Sequence, residues 1–290
     1  MRFLIAVALI ALTPLALGQD NPGVRTSALS DTLYLLQGRG GNVVASVGGD
    51  GVLMIDDDYG QMVAAYQAAL DALDAAAPRF VINTHWHGDH TGGNAHWGGK
   101  GAVIMAHHNV RERMSTRQDN KFFGRVTEPS PAAAWPVVTY GDASALHFNG
   151  DTLDIQHYPT GHTDGDSVVY FVNANVAHLG DHFFKDRFPF IDIGSGGSVD
   201  GFIANIDAIL QRVDGETLIV PGHGSVANRA DLVRYREMLG TTVKAIRAHK
   251  AAGLSVDDAR QKGLDARWDS WGSGFIDRDA WIGIVYSDSP

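Results

Sequence analysis

The sequence predicts an α+β fold in which two mixed sheets pack face to face with helices outside, a four-layer αββα sandwich. Short apolar strands separated by glycine-rich turns precede helices in each half of the chain. The second half repeats the rhythm of the first, with no linker, repeat array or low-complexity tract between them. With 290 residues, 44% apolar and 19% charged, the chain is long enough for one large domain around a well-buried core.

Residues 1–18 read as a signal peptide. Arg2 supplies a minimal positive region, an apolar run covers residues 3–12 until Thr13-Pro14 interrupts it, and Ala16-Leu17-Gly18 offers small residues for cleavage before Gln19. The run is shorter than the roughly 20 apolar residues of a membrane span. A periplasmic protein is therefore expected, with residues 19–290 as one domain and no stable membrane insertion after cleavage.

Residues 32–37, 42–47 and 52–56 are expected strands, and 61–75 is an alanine-rich helix ending before Pro78. A buried strand at 80–83 leads into a polar, glycine-rich loop at 84–100. Strand character returns at 102–105, followed by a helix at 109–117. Residues 121–136 contain three prolines and read as an irregular surface loop near the site. In the second half, 153–158, 167–172 and 176–179 alternate like strands. Residues 199–212 carry Phe202, Ile206, Ile209 and Leu210 at helical spacing. A strand at 217–220, a long helix at 230–251 and a short one at 256–262 complete the pattern.

The net charge of -10 gives a nucleic-acid partner no electrostatic support, so a small-molecule substrate is expected; nothing in the sequence specifies an oligomer. The chain has no cysteine, which excludes disulfides, thiolate ligands and a cysteine nucleophile. Any metal must be held by histidine and carboxylate.

Such residues cluster at Asn83-Thr84-His85-Trp86-His87-Gly88-Asp89-His90. On an extended segment His85 and His87 point to one side, because side chains alternate with period two. Gly88 lets the chain turn, so Asp89 and His90 can face a neighbouring position. A lone histidine here would more often cap backbone groups; four candidate donors in six residues favour a metal such as zinc. His162, Asp181 and His223 each follow a glycine at a strand-to-loop junction, where glycine permits a sharp turn and strand ends are rigid platforms. Singly each reads as a turn residue; with the cluster they supply further ligands.

This set, H-x-H-x-D-H, then G-H-T, G-D and P-G-H-G, resembles the metallo-β-lactamase-fold superfamily from His85 to His223. Residues 187–192 and 271–276 are similar to periplasmic members linked by name to sulfur oxidation or quinoprotein systems. The resemblance implies the αββα sandwich with the site at one edge of the paired sheets. It implies two Zn2+ per chain, the first on His85, His87 and His162, the second on Asp89, His90 and His223, with Asp181 bridging. Cysteine-containing lactamases have Cys where this chain has Asp181, and His90 resembles the all-histidine lactamases and the wider hydrolases.

The implied chemistry is attack by a metal-bridging hydroxide on a thioester, lactone, ester or cyclic amide, since zinc lowers the pKa of bound water to about 7. Asp89 is the expected catalytic residue, orienting the nucleophile and shuttling its proton. The alternatives are a β-lactamase, a mononuclear-iron persulfide dioxygenase-like enzyme holding iron on His85, His162 and Asp181, and a non-catalytic binding protein. Lys185 reads equally as a partner for a substrate carboxylate and as a solvated loop residue. Trp86 reads as packing, as do Phe183, Phe184, Phe188 and Phe190. His182 is a candidate to support a ligand; His107, His108 and His178 read as surface or satisfied core residues.

Overall fold

The computed structural model describes residues 23–120, 122 and 124–288; the predicted signal peptide lies outside the described residues. The first half contains strands β1 (Arg25–Ala28), β2 (Leu33–Gln37), β3 (Val43–Gly48) and β4 (Gly51–Ile55), then helix α1 (Val63–Asp71), β5 (Phe80–Ile82), α2 (Gly88–Thr91), α3 (Asn94–Gly99), β6 (Val103–His107) and α4 (His108–Ser115). A small hairpin of β7 (Gln118–Asn120) and β8 (Arg125–Thr127) precedes β9 (Val138–Tyr140). The second half contains β10 (Ala143–Phe148), β11 (Asp151–His157), β12 (Ser167–Phe171), β13 (Val176–His178), α5 (Val199–Leu210), β14 (Leu218–Val220), α6 (Arg229–Ala251), α7 (Val256–Lys262) and α8 (Arg278–Asp288).

Seven strands form one sheet in the order β1-β2-β3-β4-β5-β6-β9, and five form the other in the order β10-β11-β12-β13-β14. Both are mixed: β4, β5, β6 and β9 pair in parallel, as do β13 and β14, and the remaining pairs are antiparallel. The faces follow from strand alternation. Leu53 and Ile55 of β4 join Leu153, Ile155, Val169 and Phe171 in the core between the sheets. Val52 and Met54 turn outward onto Tyr66 and Leu70 of α1. On the far side Val168, Tyr170 and Ile219 pack under α5, α6 and α8 through Phe202, Leu239 and Trp281. Each fully buried Leu, Ile or Phe contributes about 1.5–3 kcal/mol. The predicted four-layer αββα sandwich is the observed architecture.

Several local expectations are revised. Helix α1 ends at Asp71 rather than residue 75, because Asp74 adopts a left-handed φ of 52° and the Ala75 N–H turns back to the Leu70 carbonyl. The expected loop at 84–100 contains α2 and α3, whose helical pattern Gly92, Gly93, Gly98 and Gly99 obscure. The 121–136 segment is not wholly irregular: β8 lies in it, and Asn120 and Thr127 line the cleft described below. Strands β1, β7, β9 and β10 and helix α8 had no sequence expectation; α8 is held by buried Trp281, Ile282, Ile284 and Val285. Among the described residues, no helix is long and apolar enough to cross a membrane.

The extra histidines divide. His178 is wholly buried and satisfied, with Nε2 3.0 Å from the Asn42 carbonyl. His107 is buried too, stacked on His157 at 3.7 Å and 9°, while its Nδ1 accepts from the Asn109 N–H at the start of α4. Burial, then the neighbouring His157 and His108, hold His107 down to about 3. Folding thus favours the neutral ring, so its contribution to stability is full above the unfolded value near 6.5 and is lost as pH falls toward 3. Urea unfolding between pH 7 and 4.5 is expected to show a shallower loss of stability for His107→Asn, which keeps a cap acceptor, than for the natural protein; identical slopes would contradict the assignment.

Candidate metal centre

The site sits where strand ends of both sheets meet. β5 ends at Ile82, and residues 84–86 bend instead of continuing as a strand. His87 is extended (φ -65°, ψ 149°) and precedes α2, which carries Asp89 and His90. The Ser167 N–H donates to the Thr84 carbonyl at 2.8 Å, tying this turn to the five-stranded sheet. That sheet and its loops supply His162, Asp181 and His223. The Asn42 N–H donates to the Gly222 carbonyl at 2.7 Å and its side chain to the Pro221 carbonyl at 2.8 Å, fixing the strand end before His223.

All seven sequence-predicted site residues come together in two adjoining groups: His85, His87, His162 and Asp181, and Asp89, His90 and His223. In the first, His87 Nδ1 lies 2.9 Å from His162 Nε2, and Asp181 Oδ2 lies 3.4 Å from His162 Nε2 and 3.8 Å from His85 Nε2. In the second, His223 Nε2 lies 3.4 Å from His90 Nε2 and 3.4 Å from Asp89 Oδ2, with His90 Nε2 3.7 Å from that oxygen. Asp181 spans both groups, its Oδ1 being 3.1 Å from His90 Nε2 and 3.5 Å from His223 Nε2.

These spacings fit a cation. Four donors about 2.0–2.1 Å from a tetrahedral ion are roughly 3.3 Å apart. Among the described residues, His85 Nε2 and Asp181 Oδ1 are buried without a hydrogen-bond partner, an arrangement that costs about 1–3 kcal/mol per group unless something else satisfies it.

The outward atoms of the donors are held in place, and sequence reasoning missed most of these supports. Asp56, at a left-handed φ of 61°, accepts from the Thr84 N–H and hydroxyl at 2.7 and 2.8 Å and sits 2.8 Å from His90 Nδ1. Asp192 Oδ2 lies 3.0 Å from His87 Nε2 and accepts from the Ser195 hydroxyl. The Phe190 carbonyl accepts from His162 Nδ1 at 2.7 Å, and Thr84 Oγ1 lies 3.0 Å from His85 Nδ1. Such partners fix ring orientation and raise donor basicity. The signal for Asp56 was the acid run Asp56-Asp57-Asp58 directly after an apolar strand.

The electrostatics match this division. Burial pulls the His85 imidazole well below its usual value and His162 down to about 4, favouring neutral rings. Burial opposes ionisation of Asp181 and Asp89, but the surrounding imidazoles outweigh it and hold both carboxyls below their usual range. Burial disfavours charge on His90 and His223 as well. Asp181 and the other nearby carboxylates nevertheless raise His90 well above its usual value and His223 to about 9. The two carboxylates therefore carry negative charge that either protons on His90 and His223 or metal ions can balance, and the two compete.

The donors border a cleft of about 640 Å3 reached by His87, Asp89, Asp181 and His223. Trp86 both lines it and packs on Val110 and Met114. Of the four phenylalanines expected to pack in the core, Phe183 does so against Tyr235, whereas Phe184, Phe188 and Phe190 also line the cleft. Phe184 stacks on His223 at 5.3 Å. Lys185 does not line the cleft: its ammonium is spent on Asp231 at 3.0 Å and on the Val226 carbonyl at 3.0 Å. Among the described residues, His182 bonds to none of the seven donors and is buried on Asn205 and Phe202.

The sequence profile of the metallo-beta-lactamase superfamily matches residues 34–223. A hydroxyacylglutathione hydrolase of Polaromonas sp. strain JS666 is 30% identical over 169 residues, 57% of this chain and 56% of the relative, so the chain spans about half the length of that protein. Among solved structures, the metallo-beta-lactamase DIM-1 superposes with a TM-score of 0.62 at 17% identity, covering 76% of this chain and 99% of that one. The sec-alkylsulfatase Pisa1 from Pseudomonas sp. gives 0.69 at 16% identity, covering 92% and 50%. The chain belongs to the metallo-beta-lactamase superfamily.

A β-carbon on Gly222 would lie 2.0 Å from Asp181 Oδ1. The same β-carbon would press on the Gly180 backbone at 2.7 Å, so Gly222→Ala is expected to displace that carboxylate together with the turn that carries it and to weaken metal binding at least about tenfold. Asp192→Asn, which removes the charge behind His87, is expected to weaken it about 10–100-fold. Chelator competition measures both, and unchanged affinity in either variant would contradict the geometry.

Proposed function

We propose that this member of the superfamily is an exported zinc-dependent hydrolase that cleaves an acyl bond in a small-molecule substrate, with a thioester the favoured class. The observation that carries this reading is the pair of adjoining donor groups sharing Asp181. The all-nitrogen-and-oxygen donor set suits zinc, and the hydroxyacylglutathione hydrolase relative points toward a thioester. His85, His87 and His162 would hold one ion, Asp89, His90 and His223 a second, and Asp181 both. When bound, such ions supply Lewis acidity and a water with its pKa lowered to about 7.

The chain's own residues do the rest. Asp89 lines the cleft and turns Oδ2 toward His223 Nε2. Its carboxylate would take the proton of the attacking water and return it to the leaving atom. Asp56 and Asp192 keep the His90 and His87 rings from rotating. Phe184, Phe190 and Trp86 exclude water from the apolar part of the substrate.

Elemental analysis of protein purified without added metal is expected to find about two zinc ions per chain. Hydrolysis of an aryl thioester should be abolished by chelation, and a chromogenic β-lactam should be cleaved far more slowly. His87→Ala is expected to lose metal together with more than about 100-fold in kcat/KM, the upper end of what removing a mere supporting partner costs. One iron and no zinc, or full zinc content in His87→Ala, would overturn the reading. Export rests on residues 1–18 of the sequence; expressed in a bacterium, the protein is expected in the periplasmic extract with Gln19 as its N-terminus, and an intact Met1 there would contradict it.

A further inference from the structure

Among the described residues, the donor groups consume the histidines and carboxylates that line the cleft, which leaves two charged lining residues unspent. They are Arg39 and Arg187. Both side chains are exposed. Among the described residues, neither guanidinium has a hydrogen bond or an ion pair, in a chain whose net charge is -10. Other described arginines are committed, such as Arg113 to Asp164, Arg212 to Asp154 and Arg236 to Asp207.

The bases of the two side chains are fixed while their heads are not. Arg39 and Gly40 donate their N–H groups to the two oxygens of Asp58 at 2.9 and 2.8 Å, and the Gly41 N–H donates to the Asp89 carbonyl at 3.0 Å. The loop carrying Arg39 is thereby locked to the residue that supplies a metal donor. Arg187 follows Phe184 in a turn closed by its N–H on the Phe184 carbonyl at 3.2 Å. Its aliphatic stem lies over Gly274, where a β-carbon would approach Arg187 Cδ to 2.9 Å. Arg39 arrives from the seven-stranded sheet and Arg187 from the loops of the five-stranded one. Phe184, Phe190 and Ile276 line the same cleft.

Guanidinium groups are planar donors that match carboxylates in two-point contact. An apolar wall with a few converging polar groups is the usual build of a small-molecule site. We infer that the cleft selects an amphiphilic organic anion: an acyl compound whose apolar body lies on Phe184, Phe190 and Ile276 and whose carboxylate, apart from the bond to be cleaved, is held by Arg39 and Arg187. The inference rests on the hydrolase reading above and supplies its substrate class. Lys185, the cation nearest Asp181 in sequence, has no part in it, being paired with Asp231.

The test is calorimetric binding of two probes to the metal-loaded protein, 2-benzyl-3-mercaptopropionic acid and its carboxamide. Both present the same thiol to the metal end and the same ring to the apolar wall, and only one carries a carboxylate. The readout is the ratio of their affinities, so a general loss of binding through misfolding cancels. The acid is expected to bind about 25-fold more tightly than the amide in the natural protein. The ratio should fall to about fivefold in Arg39→Gln and in Arg187→Gln, and to near one in the double variant, each partly exposed charge contact being worth about fivefold. A ratio near one in the natural protein, or an unchanged ratio in the double variant, overturns the inference and leaves the hydrolase reading standing. If neither probe binds and no thioester is hydrolysed, the hydrolase reading fails and takes the inference with it.

Discussion

The buried carboxylate of Asp181, set between two groups of imidazole nitrogens, is the interaction on which the site depends. Taking an ion out of water costs several kcal/mol even after the protein relaxes. Here Oδ2 faces the His162 and His85 nitrogens, and Oδ1 faces those of His90 and His223 without a hydrogen bond to satisfy it. Burial keeps His85 and His162 neutral, while the carboxylates draw His90 and His223 upward, so that side of the pocket favours positive charge, whether proton or metal ion. A structure that concentrates buried negative charge in this way is arranged for cations.

The fold makes that arrangement possible by placing it at strand ends. The central strands, such as β4 and β12, are buried on both faces and leave polar chemistry to the loops beyond them. Close approach at those ends requires missing side chains. A β-carbon on Gly41 would lie 2.1 Å from the His90 ring, and one on Gly222 would meet Asp181. The supports are distributed across both sheets: Asp56 follows β4 of one, and Asp192 lies in the loops of the other. Each donor group thus draws on both halves of the fold, which the inter-sheet core locks together.

The donors were legible in the sequence because each follows a recognisable signal, a glycine after an apolar strand or the dense run from His85 to His90. The layer order was legible from the alternation of strands and helices. Asp56 and Asp192 were not, because a carboxylate near a strand end or in a loop carries no mark of which ring it will face; that pairing exists only once β4, β5 and the 187–192 loop are brought together. Helix α8 escaped because Trp281, Ile282, Ile284 and Val285 take their meaning from packing under α6 and α7 rather than from a local pattern. Lys185 shows the reverse error: its position in sequence suggested the cleft, but α6 presents Asp231 to it first.

The account stands or falls on cations on either side of one carboxylate. Anomalous diffraction at the zinc edge from crystals of the protein as purified measures this directly. Two peaks flanking Asp181, about 3.5–4 Å apart as in two-metal sites, one among His85, His87 and His162 and the other among Asp89, His90 and His223, are the predicted result. No peak within reach of Asp181, or a single ion bound elsewhere on the chain, would contradict it.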